Sequence, residues 1–344
     1  MFPVDFAFEV VEEFSQPGDK VLDPFAGRAS SIFAAHALGR SGNGIEINPV
    51  GWLYGKTKMH PASSDHVFAR LEEIGRNAHL VAEEELASMP EFFHCCYSKD
   101  VLRFLLCARR QLKWQSSRVD GTLMSIILVD LHGKEGSALS SQMRQGKAMS
   151  PDYCVAWWKA HEKTPPDIEP ISFIKKKLVW RYAKGIPRFN SGAIIHGDSL
   201  KHLPMLNRRA GSVKYKLLFT SPPYYSITNY FYDQWLRIWM LGGLEYPTYD
   251  GRSRWQKKFA SKEGYKTLLE AVFSRSRKLL SEDAILYIRT DARAFTLDTT
   301  LNVLIDLYPG KTIECIERPT SKLSQTALFG DKSSKPGEID IILR

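Results

Sequence analysis

Lys20-Val21-Leu22-Asp23-Pro24-Phe25-Ala26-Gly27-Arg28-Ala29-Ser30-Ser31 runs from an apolar stretch through a tight turn into the small residues that start a helical pattern, Ile32 to Leu38, closed by Gly39. The apolar stretch is short enough for a buried strand, and Gly27 supplies the backbone freedom that a sharp strand-to-helix turn demands. About twenty residues beyond the turn, Asn43-Gly44-Ile45-Glu46-Ile47-Asn48 predicts a second strand carrying an acid near its end. Strand, glycine turn, helix and acid-tipped strand are the parts of a nucleotide-binding half of a doubly wound sheet. Upstream, Asp5 to Ser15 has helical spacing and is closed by Gln16-Pro17-Gly18-Asp19.

Downstream the sheet pattern returns only at Ala193-Ile194-Ile195-His196-Gly197-Asp198, then at Lys216 to Thr220, Ala284 to Thr290, Thr312 to Glu317 and Glu338 to Leu343. Seven strands result, with the last two predicted as an antiparallel pair. The fold class is α/β, a doubly wound, seven-stranded, mostly parallel sheet. Residues 52–190 have mainly helical spacing, with helices expected near Ser64, over Lys99 to Leu112, Gly121 to Leu131, Pro151 to His161 and Ile171 to Ala183. That stretch is too long for a loop and needs a core of its own. The expected division is therefore 1–51 with 191–344 as a catalytic domain, and 52–190 as a helical insertion.

The fourth strand, Leu217-Leu218-Phe219, leads into Thr220-Ser221-Pro222-Pro223-Tyr224-Tyr225. Two prolines without N–H groups force the chain out of the sheet in a rigid extended turn, leaving the Ser221 hydroxyl and several carbonyls at the sheet's carboxyl edge. Acceptors beside an aromatic ring suit a flat, amino-bearing base.

Composition narrows the partner. The chain of 344 residues carries a net charge of +9, and residues 99–190 alone hold 17 Lys and Arg against 8 Asp and Glu. A local basic excess interleaved with Trp114, Tyr153, Trp157, Trp158, Trp180 and Tyr182 fits phosphate contact with base stacking. Lys175, Lys176 and Lys177, and the loop residues Arg252, Arg254, Lys257 and Lys258, are the candidate phosphate contacts, and Asn229, Tyr230, Tyr232, Asp233 and Trp235 the candidate wall of a base pocket. The cysteines, Cys95, Cys96, Cys107, Cys154 and Cys315, form no C-x-x-C pair, so no metal site is expected. No apolar run reaches the ~18 residues of a membrane helix, and the amino terminus lacks a leader pattern, so a cytoplasmic protein without a membrane partner is expected.

Three separated blocks resemble the amino-group DNA methyltransferases that use S-adenosylmethionine, within them the N4-cytosine type. Asp23-Pro24-Phe25-Ala26-Gly27-Arg28-Ala29-Ser30 is similar to the family's D-P-F-x-G-S-G-T cofactor loop, Gly44-Ile45-Glu46-Ile47-Asn48-Pro49 to its acidic second strand, and Thr220 to Tyr224 to its T-S-P-P-Y catalytic motif. The resemblance implies a Rossmann-like methyltransferase fold and S-adenosylmethionine as cofactor. Asp23, Pro24, Phe25, Ala26 and Gly27 would meet its methionine end, Glu46 with Asn48 its ribose, and Asp198 with Ser199 its adenine. Ser221, Pro222, Pro223 and Tyr224 would form the methyl-acceptor site, with Tyr224 stacking on a flipped base. Ser before Pro-Pro favours cytosine N4, whereas the adenine-N6 relatives mostly carry Asp or Asn. Cytosine C5 chemistry needs a cysteine after a proline, and no cysteine here follows one.

The chain departs from the family pattern at Arg28 and Ala29, where Ser and Gly are usual, and in placing a large insertion between the second strand and Asp198. By the same resemblance that insertion is the DNA target recognition module, the partner is double-stranded DNA, and the setting is restriction-modification or a related defence, with a cognate restriction endonuclease. The alternatives are adenine-N6 methylation on the same scaffold, or a DNA-binding relative without catalysis. A nicotinamide dehydrogenase is disfavoured because the first turn lacks G-x-G-x-x-G.

Overall fold

The computed structural model describes residues 3–144, 148–187, 189, 193–209, 214–226, 230–247, 261–318 and 337–344. Within them β1 (Lys20–Asp23), β2 (Ser41–Glu46), β3 (Ala193–His196), β4 (Tyr215–Thr220), β5 (Leu280–Asp291), β6 (Ile313–Arg318) and β7 (Glu338–Leu343) form one sheet in the order β3-β2-β1-β4-β5-β7-β6. The first five strands pair in parallel. This is the doubly wound, seven-stranded, mostly parallel sheet expected from the sequence.

The carboxyl-terminal strands differ in one respect from a pair appended to the sheet. β7 enters between β5 and β6 and runs antiparallel to both. The side chains explain the order. Ile339 to Leu343 are all buried, which suits an interior strand covered on two faces, whereas β6 alternates around exposed Glu314, Cys315, Glu317 and Arg318 and suits an edge.

Alternation along the central strands feeds two cores. Leu22, Leu218, Leu286, Ile288, Ile341 and Leu343 face the helices Lys262–Arg277 and Ala294–Leu307, in a cluster with Leu268, Leu269, Phe273 and Leu304. The intervening Val21, Leu217, Phe219, Tyr287 and Ile342 face the helices Val4–Phe14 and Ser30–Ala37, packed with Val10, Val11, Ile32 and Ala35. Each large side chain so buried contributes about 1.5–3 kcal/mol. A period of two with both faces apolar makes a sheet covered on both sides.

The reversal of strand order falls at β1, which has β2 on one side and β4 on the other. Ligands of open α/β sheets bind outside the carboxyl ends of the strands at such a switch. Here that edge carries Asp23 on β1, Glu46 on β2 and Thr220 on β4.

The chain divides into two compact units: residues 1–59, 189–229 and 250–344 form the sheet unit, and 60–188 with 230–249 the helical one. The helical unit thus takes in 230–249, a stretch that the sequence pattern places with the sheet. Its core is aromatic, with Phe93 on Trp239 at 4.5 Å between ring centres, Phe92 on Trp235 at 5.0 Å and Phe92 on Trp158 at 5.5 Å. Ser98 and Ser150 cap their helices by accepting from Val101 N and Tyr153 N. Among the described residues no helix is long and apolar enough to cross a membrane.

Candidate active site

β1 ends where Pro24 removes the next N–H. Asp23, buried at its tip, is held by neutral donors: Thr220 Oγ1 at 2.6 Å, Phe25 N at 3.1 Å, and the Ser31 hydroxyl. Burial pushes its carboxyl up to about 6, against the lowering effect of those bonds. With both oxygens engaged from inside, Asp23 works as a brace. It ties the turn, the following helix and the end of β4 into one unit, across 197 residues of sequence in the case of Thr220.

Gly27 takes φ +55°, the left-handed conformation that glycine adopts freely, and its N–H then points at Glu46 Oε2 at 2.6 Å. Asn48 N donates to Glu46 Oε1 at 2.7 Å. Both carboxylate oxygens of Glu46 are thus engaged by backbone N–H groups. Burial pushes its carboxyl up to about 7, with the Asp23 charge adding in the same direction and the backbone N–H bonds opposing. Asn48 turns its own Oδ1 to Val50 N at 2.9 Å, starting the helix Pro49–Met59. Pro24 and Ala26 contribute backbone: Pro24 O accepts from the Ser199 hydroxyl, and Ala26 N donates to Ile45 O at 3.0 Å. Phe25 packs against the core beside Leu22.

β3 continues into Gly197, whose N–H reaches Glu46 O at 2.9 Å, and then Asp198. Oδ1 of Asp198 accepts from Leu200 N at 2.8 Å, so this acid caps a helix; Oδ2 is buried and has no hydrogen-bond partner among the described residues. An orphaned buried carboxylate oxygen is expensive unless a ligand donor meets it. Ser199 spends its hydroxyl on Pro24 O and so joins β3 to the turn after β1.

At the neighbouring strand end, Pro222 and Pro223 are buried, while Ser221 and Tyr224 are half-buried. Ser221 Oγ donates to Tyr224 Oη over a long 3.5 Å, and Tyr224 Oη donates to Glu338 Oε1 at 3.0 Å. Burial raises the tyrosine well above its ordinary value, and Glu338 adds to that. Glu338 is itself 3.4 Å from Arg289 Nη1. Tyr225 turns into the core, edge-on to Phe295 at 4.8 Å and to Tyr265 at 5.8 Å.

Sequence reasoning missed Ser31, Glu338, Arg289 and Lys58, and gave Thr220 no role beyond its motif. Lys58 lies on the helix after β2, donates to Arg28 O at 2.8 Å under the glycine turn, and is brought down to about 8 by burial and then by the Arg28 charge. A helix running on from β2 would have been legible in Pro49 at its first position. Glu338 and Arg289 carried no local signal.

The candidate DNA contacts separate. Lys175 pairs with Glu72, and Lys177 with Asp130 Oδ1 at 3.1 Å and Ser137 O at 3.0 Å, while Lys176 stands on the exposed face with Trp180, which is 73% exposed. Arg252, Arg254, Lys257, Lys258 and Asn229 lie outside the described residues. Trp235 is not a pocket wall. It is buried among the aromatic residues of the helical unit and donates Nε1 to Met149 O at 3.0 Å, because a large ring on an apolar helix face is worth more in a core than at a rim.

Residues 1–50 match the family model of the N6 and N4 DNA methylases, a stretch that holds β1, the glycine turn and β2 with Glu46. No curated protein matches the chain by sequence. Among solved structures it is similar to a protein described as a methyltransferase and solved with SAH, at 10% identity over 98% of this chain and 48% of that one, TM-score 0.37. It is similar to the SAM-dependent methyltransferase of Agrobacterium tumefaciens at 10% identity, over 99% of this chain and 60% of the other, TM-score 0.37. The rRNA methyltransferase aviRa of Streptomyces viridochromogenes follows at 11% identity, 100% and 85% coverage, and TM-score 0.33. The chain spans about half the length of the first of these. At such distances they add nothing to what the sheet order already establishes.

S-adenosylmethionine, the methylase cofactor, fits the residues present. The turn at Phe25-Ala26-Gly27 leads into a helix start, where the amino-acid end would lie, its own three N–H groups being spent on Asp23, Ile45 and Glu46. Glu46, at the tip of β2 beside the turn, would accept from the ribose hydroxyls, and Asp198 Oδ2, without a partner among the described residues, would accept from the adenine amino group.

Proposed function

We propose that this chain transfers a methyl group from S-adenosylmethionine to the exocyclic N4 amine of a cytosine flipped out of double-stranded DNA, in a restriction-modification or related defence setting. The observation that carries the proposal is the Ser221 hydroxyl. It stands one residue beyond Thr220, whose bond to Asp23 ties it to the cofactor turn, and its hydrogen is turned toward Tyr224. A hydroxyl whose own hydrogen is committed presents its oxygen as an acceptor.

The cofactor supplies an electrophilic methyl on a sulfonium. The residues of this chain have to make the amine a nucleophile, since its lone pair is delocalised into the ring. Ser221 Oγ and the Pro222 carbonyl accept its two hydrogens and draw the nitrogen toward tetrahedral geometry, and donors and acceptors fixed in advance act without reorganisation cost. Tyr224, pinned through its hydroxyl to Glu338, offers its ring as the stacking face for the flipped base. The two prolines hold that geometry rigid, as in-line attack requires. Serine at position 221, by resemblance, points to cytosine over adenine. In the helical unit, exposed Lys176 and Trp180 are proposed to meet the DNA backbone and bases.

Incubation with labelled cofactor and mixed-sequence duplex DNA, followed by nucleoside analysis, is expected to give N4-methylcytosine. N6-methyladenine alone would move the assignment to adenine, and label on RNA alone would remove DNA as the substrate. Ser221→Ala is expected to slow single-turnover methylation about 100-fold while SAH affinity stays within a few-fold.

A further inference from the structure

On the far side of Tyr224 from Ser221 stands a carboxylate that no sequence block assigns. Glu338 opens β7 and lies opposite Asp291 at the end of β5 and Arg318 at the end of β6. Its Oε1 accepts from Tyr224 Oη at 3.0 Å and its Oε2 lies 3.4 Å from Arg289 Nη1, with the side chain still 37% exposed. Both hydrogen bonds between Ser221 and Glu338 run in the same sense, Ser221 to Tyr224 and Tyr224 to Glu338. Their common direction leads from the methyl-acceptor site to a carboxylate that touches water.

We infer that Ser221, Tyr224 and Glu338 form a proton path that carries away the proton an amine must lose when it is methylated, with Glu338 as its acceptor. The inference rests on the reading of Ser221 as the amine's acceptor. In the step, the amine lone pair forms the N–C bond as the C–S pair leaves on sulfur. One N–H proton passes to Ser221 Oγ while the serine's own proton passes to Tyr224 Oη and the tyrosine's to Glu338 Oε1. Every hydroxyl ends as it began, and only the carboxylate has gained a proton, which it returns to solvent through its exposed side. The 3.5 Å link at Ser221 is the one that has to shorten when substrate binds, as catalytic bonds commonly do. Arg289 Nη1, 3.4 Å from Oε2, is the cation beside Glu338, with Asp291 and Arg318 as its cross-strand neighbours.

A carboxylate that merely anchored Tyr224 could be replaced by an amide, whose oxygen still accepts a hydrogen bond but cannot take the proton. Glu338→Gln therefore separates the two roles, and Tyr224→Phe keeps the stacking ring while cutting the path. With proton transfer in the chemical step, each is expected to slow single-turnover methylation of DNA by about 100-fold at unchanged SAH affinity. The double variant should be no slower than either alone, because both break one chain. The wild-type rate should rise with pH along an acid limb and then level, and that limb should vanish in Glu338→Gln. A Glu338→Gln enzyme with the wild-type rate and the wild-type pH profile overturns the path, as does a double variant whose losses multiply. Ser221→Ala at full rate would remove the amine-acceptor reading instead, and the path with it.

Discussion

On the β1 and β2 side of the sheet's carboxyl edge, Asp23 and Glu46 are buried acids held by hydroxyls and backbone N–H groups, and burial pushes them up to about 6 and about 7. On the β5 and β7 side, Asp340 is just as buried but sits among Arg289, at 2.6 and 2.9 Å, Arg318 at 2.8 Å and the Tyr287 hydroxyl at 2.7 Å. There burial raises the carboxyl, and the bonds from Arg289, Tyr287 and Arg318 outweigh it and bring it below its ordinary value. The same side chain type is left electrostatically unsatisfied where a ligand is to arrive and fully compensated where it supports Glu338 and Tyr224 through Arg289. A site poised for binding and a site poised for rigidity need opposite treatment of their charges.

The largest effect that would test this contrast is expected at Asp340. Asp340→Ala leaves Arg289 buried with its main partner gone, and should cost about 3–5 kcal/mol in urea unfolding. Replacing both members, with Arg289→Met and Asp340→Leu, should cost less than the single change. If the single variant lost under about 1 kcal/mol, the compensated half of the comparison would fail.

Next comes pH. A carboxyl raised in the folded state binds more protons there than in the unfolded chain, so its stabilisation is complete below the unfolded value and is lost as pH rises through the folded one. For Glu46, raised from 4.5 to about 7, the cofactor-free protein should lose about 3 kcal/mol of stability between those values. Asp23 acts in the same direction between 3.8 and about 6. Asp340 has the opposite sign: its contribution is present above the ordinary carboxylate value and lost as pH falls below it. Ribose hydroxyls bound as proposed would donate to the ionised form of Glu46, so SAH affinity should climb as pH passes through about 7. Calorimetric titration at several pH values checks the slope, and a flat affinity profile would separate Glu46 from the ribose.

How much of this could be read from the sequence follows from how local each feature is. The strand and turn from Lys20 to Gly27, the acid at Glu46 and the rigid exit at Ser221-Pro222-Pro223 are written in runs of a few residues, where apolar period, glycine and proline each have a single physical consequence. The partners that give these residues their properties come from elsewhere in the chain. Thr220 meets Asp23 across 197 residues and Glu338 meets Tyr224 across 114, distances over which topology alone decides the neighbour. The position of β7 inside the sheet belongs to the same class. The lysine run reads as one basic patch in sequence, yet helix geometry sends Lys175 to Glu72, Lys177 to Asp130, and only Lys176 to the exposed face. Trp235 was misread because an amphipathic helix looks alike whether its aromatic face meets a base or a core.

The smallest effect is expected where the chain departs from its family's cofactor loop. Ala29 replaces the usual glycine and adopts φ 55°, ψ 40°, a left-handed conformation that costs an L-residue about 1–2 kcal/mol. Lys58 donates to Arg28 O at 2.8 Å, and the Arg28 guanidinium lies 4.8 Å over the Tyr54 ring. Ala29→Gly would release the strain, but it removes a fully buried methyl worth about 0.8 kcal/mol. It also frees the unfolded chain, at a further ~0.4–1 kcal/mol. The opposing terms nearly cancel, so stability should move by less than about 1 kcal/mol in urea unfolding. A loss above about 2 kcal/mol would mean that the methyl packs more tightly than it strains. Strain on the binding side would then have to be counted as part of what that half is built to hold, alongside its uncompensated acids.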